Sequence, residues 1–99
     1  MNPEVLKQRV ESAPQNALFR FSYGQALFQS EQYEAAIPQL EFCCASRDDW
    51  MLPRILLGKA LLQTRGMESA RPWLENALQL AIEQHHEGPE AEVRGLLAE

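Results

Sequence analysis

Few side chains in this 99-residue sequence have the type and spacing to do chemistry together. Cys43 and Cys44 are direct neighbours. A redox pair or a zinc site needs thiols spaced as Cys-x-x-Cys, and adjacent residues lack that spacing. They read as reduced, packed thiols, and with no paired base neither can be nominated as a nucleophile. His85 and His86 are adjacent too. They have no i, i+4 spacing and no third ligand in view, so a solvated helix end is the reading rather than a metal site. Arg20, Arg54 and Arg94 recur in a way that resembles an anion-binding ladder. Long side chains often bury their stems while the charge stays wet, so each is expected to lie across a stacked neighbour and pair with a carboxylate or a helix end. A glycine-rich phosphate loop, a recognisable pair of catalytic carboxylates and a metal-ligand set are all missing from the sequence. The expectation is a protein that is not an enzyme and carries no cofactor or metal.

What the sequence does contain is a repeat. Shifted by 34 residues, Arg20, Gly24, Ala26, Leu27, Gln29, Glu34, Ala36, Pro38, Leu40 and Glu41 fall on Arg54, Gly58, Ala60, Leu61, Gln63, Glu68, Ala70, Pro72, Leu74 and Glu75, ten identities without a gap. Self-similarity at this period marks a helical repeat. It implies a scaffold that holds something, without naming what is held.

The elements that carry the repeat follow from apolar spacing. Pro3 and Glu4 open a short helix with Val5, Leu6 and Val10 as its stripe, ending before Ala13-Pro14. A second helix is predicted from about Pro14 to Asn16 through Gln29, and a third from Tyr33 through Cys44, with Pro38 inside it as a mild kink. Asp48 or Asp49 is expected to cap a fourth helix, Trp50 to Gln63, with Pro53 in its first turn. Gly66 closes that helix. A fifth runs from Met67 to about Gln84, with Pro72 repeating the position of Pro38. His85 to Pro89 reads as a stop, and Glu90 to Glu99 as a last short helix with Val93, Leu96 and Leu97 inward. Small residues at Gly24, Gly58, Ala36 and Ala70 are expected to let paired helices approach closely. No strand pattern occurs, so the fold class is all-α.

Composition and charge narrow the function classes. Ninety-nine residues with 45% hydrophobic and 23% charged side chains describe one globular domain, residues 1–99. The net charge is −5, and residues 68–99 hold seven acids against Arg71 and Arg94 alone. Nucleic-acid binding needs a basic stripe, and none is present. No apolar run approaches the ~18 to 20 residues that span a bilayer, and Met1 to Val10 has no signal-peptide core. A soluble cytoplasmic protein is expected.

Arg20-x2-Tyr23-Gly24-x2-Leu27 followed by Ala36-x3-Leu40, and Arg54-x2-Leu57-Gly58-x2-Leu61 followed by Ala70-x3-Leu74, resemble the tetratricopeptide repeat. The resemblance covers two full repeats, about 17–50 and 51–84, with a flanking N-terminal helix and a C-terminal capping helix at about 89–99. Arg94-x2-Leu97-Ala98 looks like the start of a third repeat, displaced by six residues. More loosely, the chain resembles small bacterial proteins with two such repeats and a terminal helix. The family's tryptophan position is arginine in both repeats, and its final proline is replaced by Asp48 and Ile82.

The resemblance implies an α-solenoid of antiparallel helix pairs whose first helices line a concave groove for a protein or peptide partner. Its groove positions carry over to Phe21, Gln25, Phe28 and Gln29 in the first repeat and Ile55, Lys59, Leu62 and Gln63 in the second. A lysine, asparagine and arginine clamp for acidic chaperone tails is not matched, since Phe21, Gln25 and Leu56 stand at those places. The implied function is a protein-protein interaction module, an adaptor without catalytic activity. Two alternatives stay open at this level. The terminal helix or a second copy of the chain can cover the face, and a short array can bury its open ends by homodimerising.

Overall fold

An asparagine starts each of the first two helices. In the computed structural model, which describes residues 2–99, Asn2 accepts the Glu4 N–H at 2.8 Å and opens α1 (Pro3–Ser12). Asn16 accepts the Phe19 N–H at 3.1 Å and opens α2 (Ala17–Gln29). Each side chain satisfies one of the amide donors that a helix start leaves free. Four more helices follow: α3 (Tyr33–Ser46), α4 (Met51–Thr64), α5 (Met67–Glu83) and α6 (Glu87–Leu97). Among the described residues there is no strand, and no helix is long and apolar enough to cross a membrane. Pro38 and Pro72 both lie within continuous helix, as their spacing predicted.

Two turns share one design. After α2 the Gln32 N–H bonds back to the Leu27 carbonyl at 2.9 Å, and after α5 the His86 N–H does the same to Ala81 at 2.9 Å. In both, the residue before the donor is left-handed, Glu31 (φ 61°) and His85 (φ 58°), a common way to end a helix. A side chain in that conformation is strained, so Glu31→Gly and His85→Gly are each expected to raise stability by about 0.5 to 1 kcal/mol in urea denaturation. Between α4 and α5 the chain uses Gly66 instead, at φ 92° and ψ 177°, a region essentially reserved for glycine.

Two helix boundaries differ from expectation. The residue that precedes α4 is Trp50, with no side-chain cap; Asp49 pairs with Arg47 at 3.5 Å, and its backbone carbonyl accepts from Gln84 Nε2 at 2.9 Å. Neither aspartate therefore caps α4. The stop expected at His85 to Pro89 is shorter, because α6 begins at Glu87 and takes Gly88 and Pro89 into its first turn. Proline fits there, since a first-turn N–H has no intrahelical partner to lose. Arg94 consequently stands eighth in α6, whereas Arg54 stands fourth in α4, and the two do different things.

Consecutive helices pack on one another along the chain, and α2 also touches α4 across the intervening α3. The core runs through all these layers: Leu40, Leu57, Leu74 and Val93 are fully enclosed. Gly24 faces Leu40, and Gly58 faces Leu74. These pairs stand 34 residues apart, so one contact is built twice.

The repeated arginines tie the layers together. Arg54 is only 6% exposed, and its guanidinium donates to the carbonyls of Cys44 (3.3 Å), Arg47 (3.1 Å) and Trp50, and to Asn76 Oδ1. It therefore serves the open C-terminal end of α3, where a positive charge is favoured. Arg20 does a looser version: it donates to the Pro14 carbonyl at 2.9 Å and lies 4.4 Å over the ring of Phe42, the residue 34 places before Asn76. Arg94 breaks the series and pairs with Glu90 one turn back on α6, at 3.0 Å, largely in solvent.

Candidate functional site

On α4, residues Leu52, Ile55, Lys59, Leu62 and Gln63 fall within an arc of about 100° at 3.6 residues per turn. On α2 the same stripe is Leu18, Phe21, Gln25, Phe28 and Gln29. Pro89, Glu92 and Leu96 line up in the same way on α6. The eight residues proposed from the sequence do not all stay together. Ile55 is 3% exposed and belongs to the core cluster. Phe21 is half-buried against Trp50, with ring centroids 5.1 Å apart. Gln25 and Gln29 border a separate shallow hollow of 190 Å³ shared with Leu6 and Arg9 of α1.

Phe28, Lys59, Leu62 and Gln63 do come together, around a hollow of 340 Å³. Its other walls are Tyr33, Leu96 and Glu99. Phe28 and Tyr33 meet edge to face at 5.3 Å, an arrangement that fixes both rings and leaves an aromatic wall. Tyr33 begins α3 and Leu96 lies in the last turn of α6, so the hollow draws on α2, α3, α4 and α6 at once. The last helix forms one side of it and does not fill it.

A second hollow, of 660 Å³, opens at the other end of the same two helices. Trp50, just before α4, borders it with Met51 and Leu52 of α4, and His86, just before α6, borders it with Pro89 of α6. Arg47 lies 5.6 Å over the Trp50 ring at its rim. Leu52 is 51% exposed there, and its counterpart Leu18 on α2 is 65% exposed. At the edge of the first hollow, Lys59 Nζ is paired with the Glu92 carboxylate. Both groups remain partly in water, so the pair contributes no more than about 1 kcal/mol. It spans from α4 to α6 as a weak bridge.

Sequence reasoning missed Leu18, Leu52, Tyr33 and Leu96. A signal for three of them was present: Leu18 and Leu52, and Leu62 and Leu96, are each 34 residues apart. Tyr33 carries no such signal, since its place in the hollow depends on how the turn after α2 folds back.

The thiols play no part in this face. Cys43 and Cys44 are buried, and Cys43 Sγ lies 3.4 Å from the Ala17 carbonyl. Burial, helped by the neighbouring thiol, pushes Cys43 up to about 12, and burial pushes Cys44 up to about 11 against the opposing charge of Arg54. Both stay protonated at neutral pH, and the thiolate is the reactive form. Native protein is expected to leave both thiols unmodified by iodoacetamide at pH 8, with full alkylation in denaturant, as read by intact mass. The unfolded chain loses these protons first as pH rises, so their share of stability holds below the ordinary thiol pKa and is lost as pH climbs toward about 12.

Among the described residues no group of three or more His, Cys, Asp or Glu side chains is placed to hold a metal ion, and no buried polar side-chain atom lacks a hydrogen-bond partner. Comparison with protein families, with curated proteins and with solved structures finds no match to this chain.

Proposed function

We propose that this chain is a tetratricopeptide-like α-solenoid of about two repeats, closed by α6, that works in the cytoplasm as a protein-protein interaction module. An apolar segment of a partner lies on the inner face of α2, α4 and α6, and no catalytic step is assigned to it. One observation carries the reading: Phe28 and Leu62, at equivalent repeat positions on different helices, share one hollow with Leu96 of the next layer. A hollow with aromatic and leucine walls, and with a lysine, an amide and a carboxylate beside them, suits apolar side chains held in register by a few hydrogen bonds.

The test is partner recovery by immobilised native protein and by Phe28→Glu plus Leu62→Glu. Both positions are only half-buried, so the double variant is expected to keep its helical circular dichroism while partner recovery falls at least about tenfold. Equal recovery by two folded proteins removes this face from consideration. Self-association is separated from this reading by light scattering, where a mass of 11.3 kDa at all concentrations is expected for the free chain.

A further inference from the structure

The two hollows beside α4 each take a wall from α6, Pro89 in the larger and Leu96 in the smaller. Whatever holds α6 in place therefore keeps both of them formed. Among the described residues that hold is slight. Val93 is the one buried side chain of α6, and Leu96 and Leu97 are only partly covered. A single side-chain hydrogen bond joins α6 to another helix, from Lys59 to Glu92, and it lies partly in water. The Arg94–Glu90 pair is internal to α6 and anchors it to nothing.

The helix is also weak in itself. Gly88 and Gly95 stand within its eleven residues, and a Cβ at either would meet nothing within 4 Å, so packing does not call for glycine. Glycine in a helix favours the unfolded chain. No side chain caps its start, and isolated helices of this length are marginal in water. At the other end of the chain, α1 has an asparagine cap, no glycine and two buried side chains over ten residues. The joint before α6 is short: Gln84, His85 and His86 connect it to α5. His85 is held there at φ 58°, a strain that is released when the turn opens.

We propose that α6 is a detachable wall, which leaves α4 and α5 and loses its helix as one unit while α1 to α5 stay folded. Opening removes Pro89 and Leu96 from the two hollows together and uncovers the socket that holds Val93. The inner face of α2, α4 and α6 is thus complete only in the closed state. This opening belongs to the free chain and stands whether or not a partner occupies that face.

Native-state hydrogen exchange of the full chain, read amide by amide by NMR, tests this. The Val93, Arg94 and Leu96 amides are expected to share one opening equilibrium and to be at least about tenfold less protected than Leu40 and Leu57. Their dependence on low urea should be weaker, because less surface is exposed. Ile37→Val removes one methyl group from the buried core of α3 and separates α6 opening from unfolding of the whole chain. Leu40 and Leu57 are expected to lose about two- to tenfold in protection, whereas the α6 amides change by less than about twofold, since α3 keeps its contacts whether α6 is closed or open. Gly95→Ala is expected to slow the α6 amides by about threefold through helix propensity. Protection, urea dependence and response to Ile37→Val equal to those of Leu40 and Leu57 would overturn the proposal, because α6 would then open only when the whole chain unfolds. Unprotected α6 amides would overturn it too, since there would be no closed state. Failure of Gly95→Ala to slow those amides would overturn it as well.

Discussion

Leucine in place of Gly58 is expected to cost about 3 kcal/mol, the upper part of the range for overpacking a filled core. A Cβ built on Gly58 overlaps the end of Leu74 and stands only 2.7 Å from its Cγ. Leu74 has nowhere to go, because it is fully enclosed. Gly24 offers a control within the same molecule: its Cβ would sit 3.1 Å from Leu40 Cδ2 and from Gln39 Cβ, so small adjustments suffice. Alanine at Gly24 is expected to change stability by less than about 1 kcal/mol, since the tight contact is offset by better helix propensity. At roughly 4 to 8 °C per kcal/mol for a domain of this size, Gly58→Leu should lower Tm by more than about 10 °C. A shift within about 2 °C would mean that α4 and α5 do not meet as described.

Arg54→Met is the second change with a large expected effect, about 2 to 4 kcal/mol in urea denaturation. Methionine keeps most of the stem's volume but leaves the carbonyls of Cys44, Arg47 and Trp50 and the Asn76 amide without their donor. A buried acceptor stripped of its partner costs about 1 to 3 kcal/mol; the Cys44 carbonyl is buried, and the part-buried acceptors of Arg47, Trp50 and Asn76 share the same guanidinium. Lysine should not rescue, because a point charge cannot serve a fork of acceptors. Arg20→Met is the internal comparison, expected at about 1 kcal/mol, since its hydrogen bond to Pro14 is exposed and its bond to Gln39 and its contact with the Phe42 ring serve no fully buried acceptor. Equal losses for the two variants would contradict the role assigned to Arg54 at the end of α3.

The core was legible in the sequence because close approach leaves a compositional trace. Gly24, Gly58, Ala36 and Ala70 announced where helices touch, and their spacing announced that the contact is made twice. Helix existence followed from apolar periodicity at all six elements. What escaped was chemistry at the ends. Trp50 precedes α4 where an aspartate was expected, because Arg47 holds the Asp49 carboxylate and Gln84 holds its carbonyl, contacts from a loop and a helix end that no local pattern encodes. Glu87 begins α6 because Gly88 and Pro89 cost little in a first turn, although the same dipeptide reads as a break. The candidate face was half legible. Phe28 and Leu62 followed from the repeat resemblance and lie together, whereas Ile55, on the same stripe, turns into the core. A stripe about 100° wide has edges, and which edge is buried depends on the neighbouring helix.

The most direct measurement of the central claim, that a partner segment lies on the inner face of α2, α4 and α6, is amide chemical-shift mapping of the labelled chain titrated with the partner it recovers. The largest shifts are expected at Leu52, Lys59, Leu62, Glu92 and Leu96, with Arg71, Glu75 and Gln79 on the exposed side of α5 unmoved. Shifts centred on Arg71, Glu75 and Gln79, with Leu52 through Leu62 and Leu96 unchanged, would contradict it.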